Sequence, residues 1–271
     1  MANFSLNREN VKICVMRVAG TNRDVDAARC LEDQGAVVEI LHLNDILRRR
    51  NLHTYHGLVF PGGFAYGDYV RAGAIWAKRI QNFLGEDLKT FAESGKPILG
   101  ICNGFQVLVE AGLLPFADFA EAPTVSLANN ASGRFECRWV HLKARLDSRC
   151  IFTSNEKNLR KYPVAHGEGR FIAQSPEVLE DLSRNGQIAL QYAKPSGELA
   201  SHCYPENPNG SELDIAGICS PSGTIMGLMP HPENAYWGHQ MPDWTKKARP
   251  PEYGDGLGIY KSMVDYIEDK F

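Results

Sequence analysis

The stretch Pro97-Ile98-Leu99-Gly100-Ile101-Cys102-Asn103-Gly104-Phe105-Gln106-Val107-Leu108 passes from an apolar strand through a tight turn into an apolar helix. Cys102 occupies the apex of that turn. Gly100 and Gly104 flank it two positions away on either side, the spacing of a nucleophile elbow, in which the bend leaves no room for larger neighbours and lifts the central side chain above the sheet. At the start of the following helix, unpaired backbone N–H groups and the positive end of the dipole favour a negatively charged sulfur. The chemistry indicated is nucleophilic catalysis by Cys102. The alternative is a buried structural cysteine, but an apolar core alone does not need the paired glycines.

Upstream of the elbow, strand-like and helix-like segments alternate. Val11–Val18 is rich in β-formers and ends in the turn Ala19-Gly20-Thr21-Asn22, which can cap a helix beginning near Asp24. Ala27, Ala28 and Leu31 give that helix its apolar stripe, Gly35 stops it, and Ala36–Leu41 resumes as a strand. Gly57–Phe60 is a short apolar strand that ends at Pro61-Gly62-Gly63, and helical spacing runs from Ala72 to Phe91. Apolar strands alternating with helices predict a mostly parallel sheet with helices on both faces. Beyond about residue 115, the segments 134–142, 170–173, 187–192, 213–219 and 224–228 read as strands separated by short turns, with a helix over 176–184. They extend the same sheet and add a hairpin layer. No Pro/Ser-rich linker divides the halves, so a single domain over 1–271 is expected. Residues 147–161 are polar and weakly patterned, which predicts a surface excursion. The chain closes on an amphipathic helix with Leu257, Tyr260, Val264 and Ile267 on one stripe.

Composition narrows the partners. A formal charge of −3 with 44% hydrophobic and 23% charged residues is ordinary for a globular protein and argues against nucleic acid or an anionic membrane surface. Seven cysteines form no C-x-x-C pair, so no disulfide framework is expected and a reducing, cytoplasmic setting fits. Neither a signal peptide nor a membrane span is predicted. No H-E-x-x-H and no G-x-x-x-x-G-K-[ST] loop occurs, so neither a zincin metal site nor a P-loop for ATP is expected.

A cysteine nucleophile needs a base, and Met229-Pro230-His231-Pro232-Glu233 follows an apolar strand. Proline on both sides of His231 excludes a helix and predicts an extended path, on which His231 and Glu233 project to one side, so that the carboxylate orients the ring while its other nitrogen faces the thiol. That is a Cys-His-Glu triad in outline. Pro61-Gly62-Gly63-Phe64 also stands at a strand end and is compatible either with a plain Pro-Gly turn or with backbone donors that, with the N–H of Asn103, form an oxyanion hole.

These motifs resemble the class I (triad-type) glutamine amidotransferases, through Gly-Ile-Cys-Asn-Gly-Phe-Gln at 100–106, Pro-Gly-Gly-Phe at 61–64 and Pro-His-Pro-Glu at 230–233. Gly20-Thr21-Asn22, Ala65-Tyr66-Gly67-Asp68-Tyr69-Val70-Arg71, Val164-Ala165-His166-Gly167-Glu168-Gly169-Arg170-Phe171 and Asn207-Pro208-Asn209-Gly210-Ser211 resemble the branch serving the fourth step of purine biosynthesis. The resemblance implies a flavodoxin-like fold in which Cys102 attacks the side-chain amide of glutamine, His231 protonates the departing ammonia and Glu233 holds His231. It implies that Gly62 and Gly63 with Asn103 stabilise the oxyanion, that Gln106 lines the glutamine site, and that His166, Gly167 and Glu168 flank the α-amino and carboxylate end. It further implies no cofactor or metal on this chain. Ammonia would pass to a synthetase subunit carrying ATP and magnesium, which converts formylglycinamide ribonucleotide to formylglycinamidine ribonucleotide, joined in some organisms by a small accessory subunit. Two departures stand out: Asn234 replaces a basic residue common after Pro-His-Pro-Glu, and the chain is longer than compact members around 147–161 and 237–251. Rival readings are a non-catalytic or stress protein of the DJ-1/PfpI type, which has histidine directly after the cysteine where this chain has Asn103, and a stand-alone γ-glutamyl thiol hydrolase.

Overall fold

Four consecutive fully buried residues, Ile13–Met16, make β1 (Lys12–Arg17) a strand covered on both faces. The computed structural model describes residues 6–119, 122–154, 158–246, 248–249 and 251–271. After β1 come α1 (Asp24–Asp33), β2 (Val37–His42), α2 (Leu43–Arg49), β3 (Gly57–Phe60), α3 (Ala74–Glu93), β4 (Ile98–Ile101) and α4 (Asn103–Glu110). The expected cap of α1 does not form: Arg23 is the N-cap residue and makes no side-chain capping bond. Gly20–Asn22 instead pair with the loop after β3, through Phe64 N–H to Gly20 O at 2.9 Å and Asn22 N–H to Gly62 O at 3.4 Å. The seven-residue α2 was not anticipated; His42 Nδ1 accepts the Asn44 N–H and so starts it.

The second half contributes β5 (Val125–Asn129), β6 (Glu136–Ala144), β7 (Arg160–His166), β8 (Glu168–Ala173), α5 (Pro176–Arg184), β9 (Ile188–Ala193), β10 (Ile215–Cys219), β11 (Ile225–Leu228) and α6 (Leu257–Lys270). The main sheet runs β2-β1-β3-β4-β11-β10-β9-β6-β7. Its first five strands are parallel, in the flavodoxin-like order, and the rest pair antiparallel. β5 and β8 form a separate two-stranded antiparallel layer, which is not the expected hairpin, because β6 and β7 lie between the two strands in the chain.

Residues 147–161 are not a plain surface excursion. Cys150 and Phe152 are buried, the 3₁₀ turn Ile151–Thr153 packs against α6, and β7 begins at Arg160; residues 155–157 of that stretch lie outside the described residues. Two apolar side chains in a polar stretch are enough to pin it, although they set up no period. The 237–251 stretch is anchored at its ends by an aromatic cluster, with Trp237 stacked on Tyr253 and Tyr236 edge-on to Trp237, Tyr253 and Tyr260.

Packing at the elbow explains its glycines. A Cβ on Gly104 would lie 1.9 Å from the Phe60 carbonyl oxygen, and one on Gly100 would lie 2.8 Å from the Gly104 carbonyl oxygen. α4 therefore crosses directly over the end of β3. Gly85, inside α3, faces open space instead. Gly104→Ala is expected to destabilise the fold by about 3 kcal/mol through overpacking. Gly85→Ala should stabilise it by about 0.8 kcal/mol through helix propensity. Denaturant titration of the two variants checks the pair; equal midpoints would contradict the elbow packing.

Candidate active site

The carboxyl ends of β1, β3, β4 and β11 meet around Cys102. Its backbone N–H is tied to Leu228 O at 2.8 Å, linking the elbow to β11, and its φ of 51° with ψ of −105° is the strained conformation an elbow imposes. Its Sγ contacts the Ala165 carbonyl oxygen of β7 at 3.8 Å. β7 is the far edge strand of the sheet, yet it returns over the site, because His231 N–H donates to Pro163 O at 2.8 Å.

His231 sits in extended backbone, but Pro232–Ala235 is a 3₁₀ turn rather than the extended path expected from the flanking prolines. Proline is favoured at the first position of a helical turn, so Pro232 starts the turn instead of preventing it. The His231 and Glu233 side chains still meet: Nδ1–H donates to Glu233 Oε1 at 2.5 Å, with both residues buried. Glu233 Oε2 and His231 Nε2 have no hydrogen-bond partner among the described residues. Burial alone would lower the imidazole pKa; the negative charges of Glu233 and of a Cys102 thiolate outweigh it and raise the value to about 10. His231 is thereby held as imidazolium beside the sulfur.

Cys102 lies where two cavities join. The larger, about 160 Å³, is lined by Gly63, Asp68, Gln106, Phe135, His166, Gly167 and Glu168, among others. It is smaller than the roughly 300–1,000 Å³ of sites for drug-sized ligands and matches one amino acid. The smaller, about 60 Å³, lies on the His231 side and includes Asn22, Arg23 and Asn234 in its lining. A cavity of about 330 Å³ along the outside of α3, lined by Lys78, Gln81 and Lys89, contains none of these groups.

The other sequence-predicted residues surround the thiol in distinct ways. Gly63 lines both cavities, and its N–H lies outside the hydrogen bonds that join its loop to Gly20–Asn22. Gly62 packs against His231, where a Cβ would lie 2.9 Å from Cε1; the imidazole therefore requires glycine there. The N–H of Asn103 opens α4 and has no acceptor within the helix. Its side chain is a latch: Oδ1 accepts the Ala65 N–H at 3.1 Å, and Nδ2 donates to Asp68 Oδ1 at 3.3 Å and to Gln106 Oε1 at 2.9 Å. Gln106 Nε2 in turn donates to the Glu168 carbonyl. Asn130 Nδ2 donates to Arg134 O and His166 O, so its Oδ1 must accept from His166 Nδ1–H, at 3.0 Å. Burial, with the charge on His231, pushes the His166 pKa down to about 3. Of the two histidines near the thiol, His231 is thus protonated and His166 neutral.

The CobB/CobQ-like glutamine amidotransferase domain matches residues 10–267. The chain belongs to that family. Among curated glutamine amidotransferases it is 44% identical to phosphoribosylformylglycinamidine synthase subunit PurQ of Archaeoglobus fulgidus, over 97% of this chain and 99% of that protein. It is 45% identical to the subunit of the same name from Treponema denticola, over 93% of this chain and 97% of that protein. A chain in the solved structure of PurLQS from Thermotoga maritima aligns with a TM-score of 0.70 and 33% identity, covering 95% of this chain and 99% of that one. The expected membership and the flavodoxin-like fold are both borne out.

Some residues of this glutamine amidotransferase site escaped the sequence. Asp68 and Phe135 line the larger cavity and the Ala165 carbonyl faces the sulfur, although Asp68 and Ala165 fall inside motifs that carried the family resemblance. Their signal was there as motif membership, without a role attached. Among the described residues, no helix is long and apolar enough to cross a membrane and no cluster of His, Cys, Asp or Glu is arranged to hold a metal.

Proposed function

We propose that the chain is the glutaminase subunit of phosphoribosylformylglycinamidine synthase, a single cytoplasmic domain over 1–271 that hydrolyses glutamine and delivers ammonia to a synthetase subunit. The observation that carries this reading is the meeting of the Cys102 thiol with a His231 imidazole held by Glu233 at 2.5 Å, in a chain that aligns end to end with PurQ subunits. Sγ attacks the side-chain carbonyl carbon of glutamine, and the tetrahedral oxyanion is stabilised by the N–H groups of Gly63 and Asn103. Collapse of this intermediate expels ammonia, which takes its proton from His231 Nε2, and leaves a γ-glutamyl thioester on Cys102. Water, giving its proton to the now neutral Nε2, attacks the thioester and releases glutamate and the thiol. Gln106, His166, Gly167 and Glu168 hold the amino-acid part of the substrate. Ammonia leaves past Asn22, Arg23 and Asn234, on the side of the base. It then reaches the synthetase, where ATP and magnesium are bound, with a small accessory subunit completing the complex as in PurLQS.

An open thioesterase of this kind would waste ammonia when alone. The loop after Gly63 is suited to hold it back: Tyr66, Gly67, Asp68 and Val70 all have φ between +53° and +75°, and Tyr69 and Val70 are 75% and 92% exposed. Left-handed non-glycine residues cost about 1 kcal/mol or more each, so the loop stores strain that a docked subunit can relieve or redirect. Glutamate release, titrated with the synthetase at saturating glutamine, is expected to rise at least about tenfold, or roughly 1.4 kcal/mol. A flat titration despite demonstrated binding would exclude this gating and leave the assignment of the nucleophile untouched.

A further inference from the structure

We propose that Asp68, paired with Glu168, seats the α-ammonium group of glutamine, and that the cavity selects its amino acid by that group while giving the α-carboxylate no counter-charge. The inference rests on the glutaminase reading above and adds to it the residue and the functional group that decide specificity.

Both carboxylates line the cavity of about 160 Å³ that ends at Cys102. Each is fixed by one oxygen: Asp68 Oδ1 accepts from Asn103 Nδ2 at 3.3 Å, and Glu168 Oε2 accepts the Ala72 N–H at 3.1 Å. Among the described residues, the second oxygen of each has no hydrogen bond, so two acceptors are left for a ligand. A third is His166, which is 3% exposed, lines the same cavity and has no partner at Nε2. Because its Nδ1–H is committed to Asn130 and the ring is neutral, Nε2 offers a lone pair and no proton. A cavity presenting three acceptors asks for a ligand rich in N–H donors, and glutamine supplies them as its ammonium and its side-chain amide.

No lining residue is cationic. The arginines closest in sequence to Asp68 are engaged elsewhere, Arg71 with Glu110 and Arg79 with the Tyr66 hydroxyl and Asn44 Oδ1, while Arg170, two residues beyond Glu168, lies outside the cavity lining, its buried Nε without a hydrogen-bond partner among the described residues. Burial, reinforced by the charge of Glu168 and opposed by the Asn103 hydrogen bond, raises the Asp68 pKa to about 6. The empty pair is therefore electrostatically unfavourable, and a bound ammonium between the two carboxylates relieves it. An α-carboxylate placed there would add a third negative charge.

The test uses the chain assembled with its synthetase and reads glutamate or product release from L-glutamine, L-glutamine α-amide and 4-carbamoylbutanoate, which lacks the amino group. Wild-type turnover of L-glutamine is the control; its absence would refute the glutaminase reading itself. Given that control, the α-amide is expected to stay within about tenfold of glutamine in kcat/KM, and 4-carbamoylbutanoate to lose about 10²-fold or more, since its binding leaves buried polar groups unpaired. Asp68→Asn, which keeps the acceptor for Asn103, is expected to raise the KM for glutamine about tenfold or more, with a smaller change in kcat and no loss on 4-carbamoylbutanoate. Glu168→Gln should do the same. A variant that slows both substrates equally would mark Asp68 as only a support for the Asn103 latch and overturn the proposal. So would a wild-type enzyme that rejects the α-amide and accepts 4-carbamoylbutanoate, a result that needs no variant to fold.

Discussion

Cys102→Ser is expected to remove glutamine-dependent turnover almost entirely, by about 10⁴–10⁶ in kcat, because the loss of a triad nucleophile is not made up by the remaining groups. The substitution is nearly isosteric and leaves the strained backbone at φ 51° as it is, so the fold and the contact with Leu228 should survive. Serine oxygen is a far weaker nucleophile than sulfur beside an imidazolium, since its hydroxyl must be deprotonated for attack and a protonated His231 cannot take that proton. In the assembled enzyme, free ammonia should still support synthesis at the partner's site, because only its generation has been lost. Steady-state glutamate release measured beside ammonia-driven synthesis separates the two. A variant retaining glutamine turnover within about tenfold of the parent would remove Cys102 from the mechanism.

Glu233→Gln should produce the second largest loss, about 10²–10⁴ in kcat. Burial by itself favours neutral His231, and the carboxylate is the main charge that reverses this, raising the imidazole pKa to about 10. With that charge removed, the ring gives up its proton at lower pH. Fewer molecules then hold the imidazolium that protonates the leaving ammonia. The direction follows: the alkaline limb of the kcat profile moves to lower pH in Glu233→Gln. Glutamine at 233 can also turn its amide N–H toward Nδ1 and stabilise the wrong tautomer. A pH series of glutamate release by the variant checks both the size of the loss and the shift. An unchanged alkaline limb would show that another group sets the charge on His231.

The parallel half of the sheet was legible because its signals are local. Gly57–Phe60 and Pro176–Arg184 appear at the expected bounds, and the elbow is written in three residues around Cys102. What escaped depends on partners distant in sequence. β7 contains Pro163, which reads against a strand, yet it occupies the sheet edge, where a missing N–H costs no ladder bond. β5 alternates buried and half-buried residues, but over only five positions, and its one partner, β8, lies about 40 residues further on. The His231–Glu233 contact was expected for a reason that does not hold: a 3₁₀ turn, not an extended chain, brings the two side chains together. Asp68 was quoted as part of a motif, but nothing in its neighbourhood of tyrosines and glycine announces that it faces Glu168 from 100 positions away in the chain.

The closure of β7 over the thiol has a further meaning for how the protein comes into being. Cys102 finds its Ala165 contact 63 positions later, and the base arrives later still, held to Pro163 of the same strand. The parallel half can collapse early around β1, β3 and β4, but such contacts of long sequence separation form late, after their loop-closure entropy has been met. A nascent or half-folded chain therefore carries an elbow without a roof or a base. On the proposed mechanism, a polypeptide still emerging or awaiting its last strands is expected to hold glutamine chemistry in abeyance, so that the catalytic constellation and the finished molecule appear together.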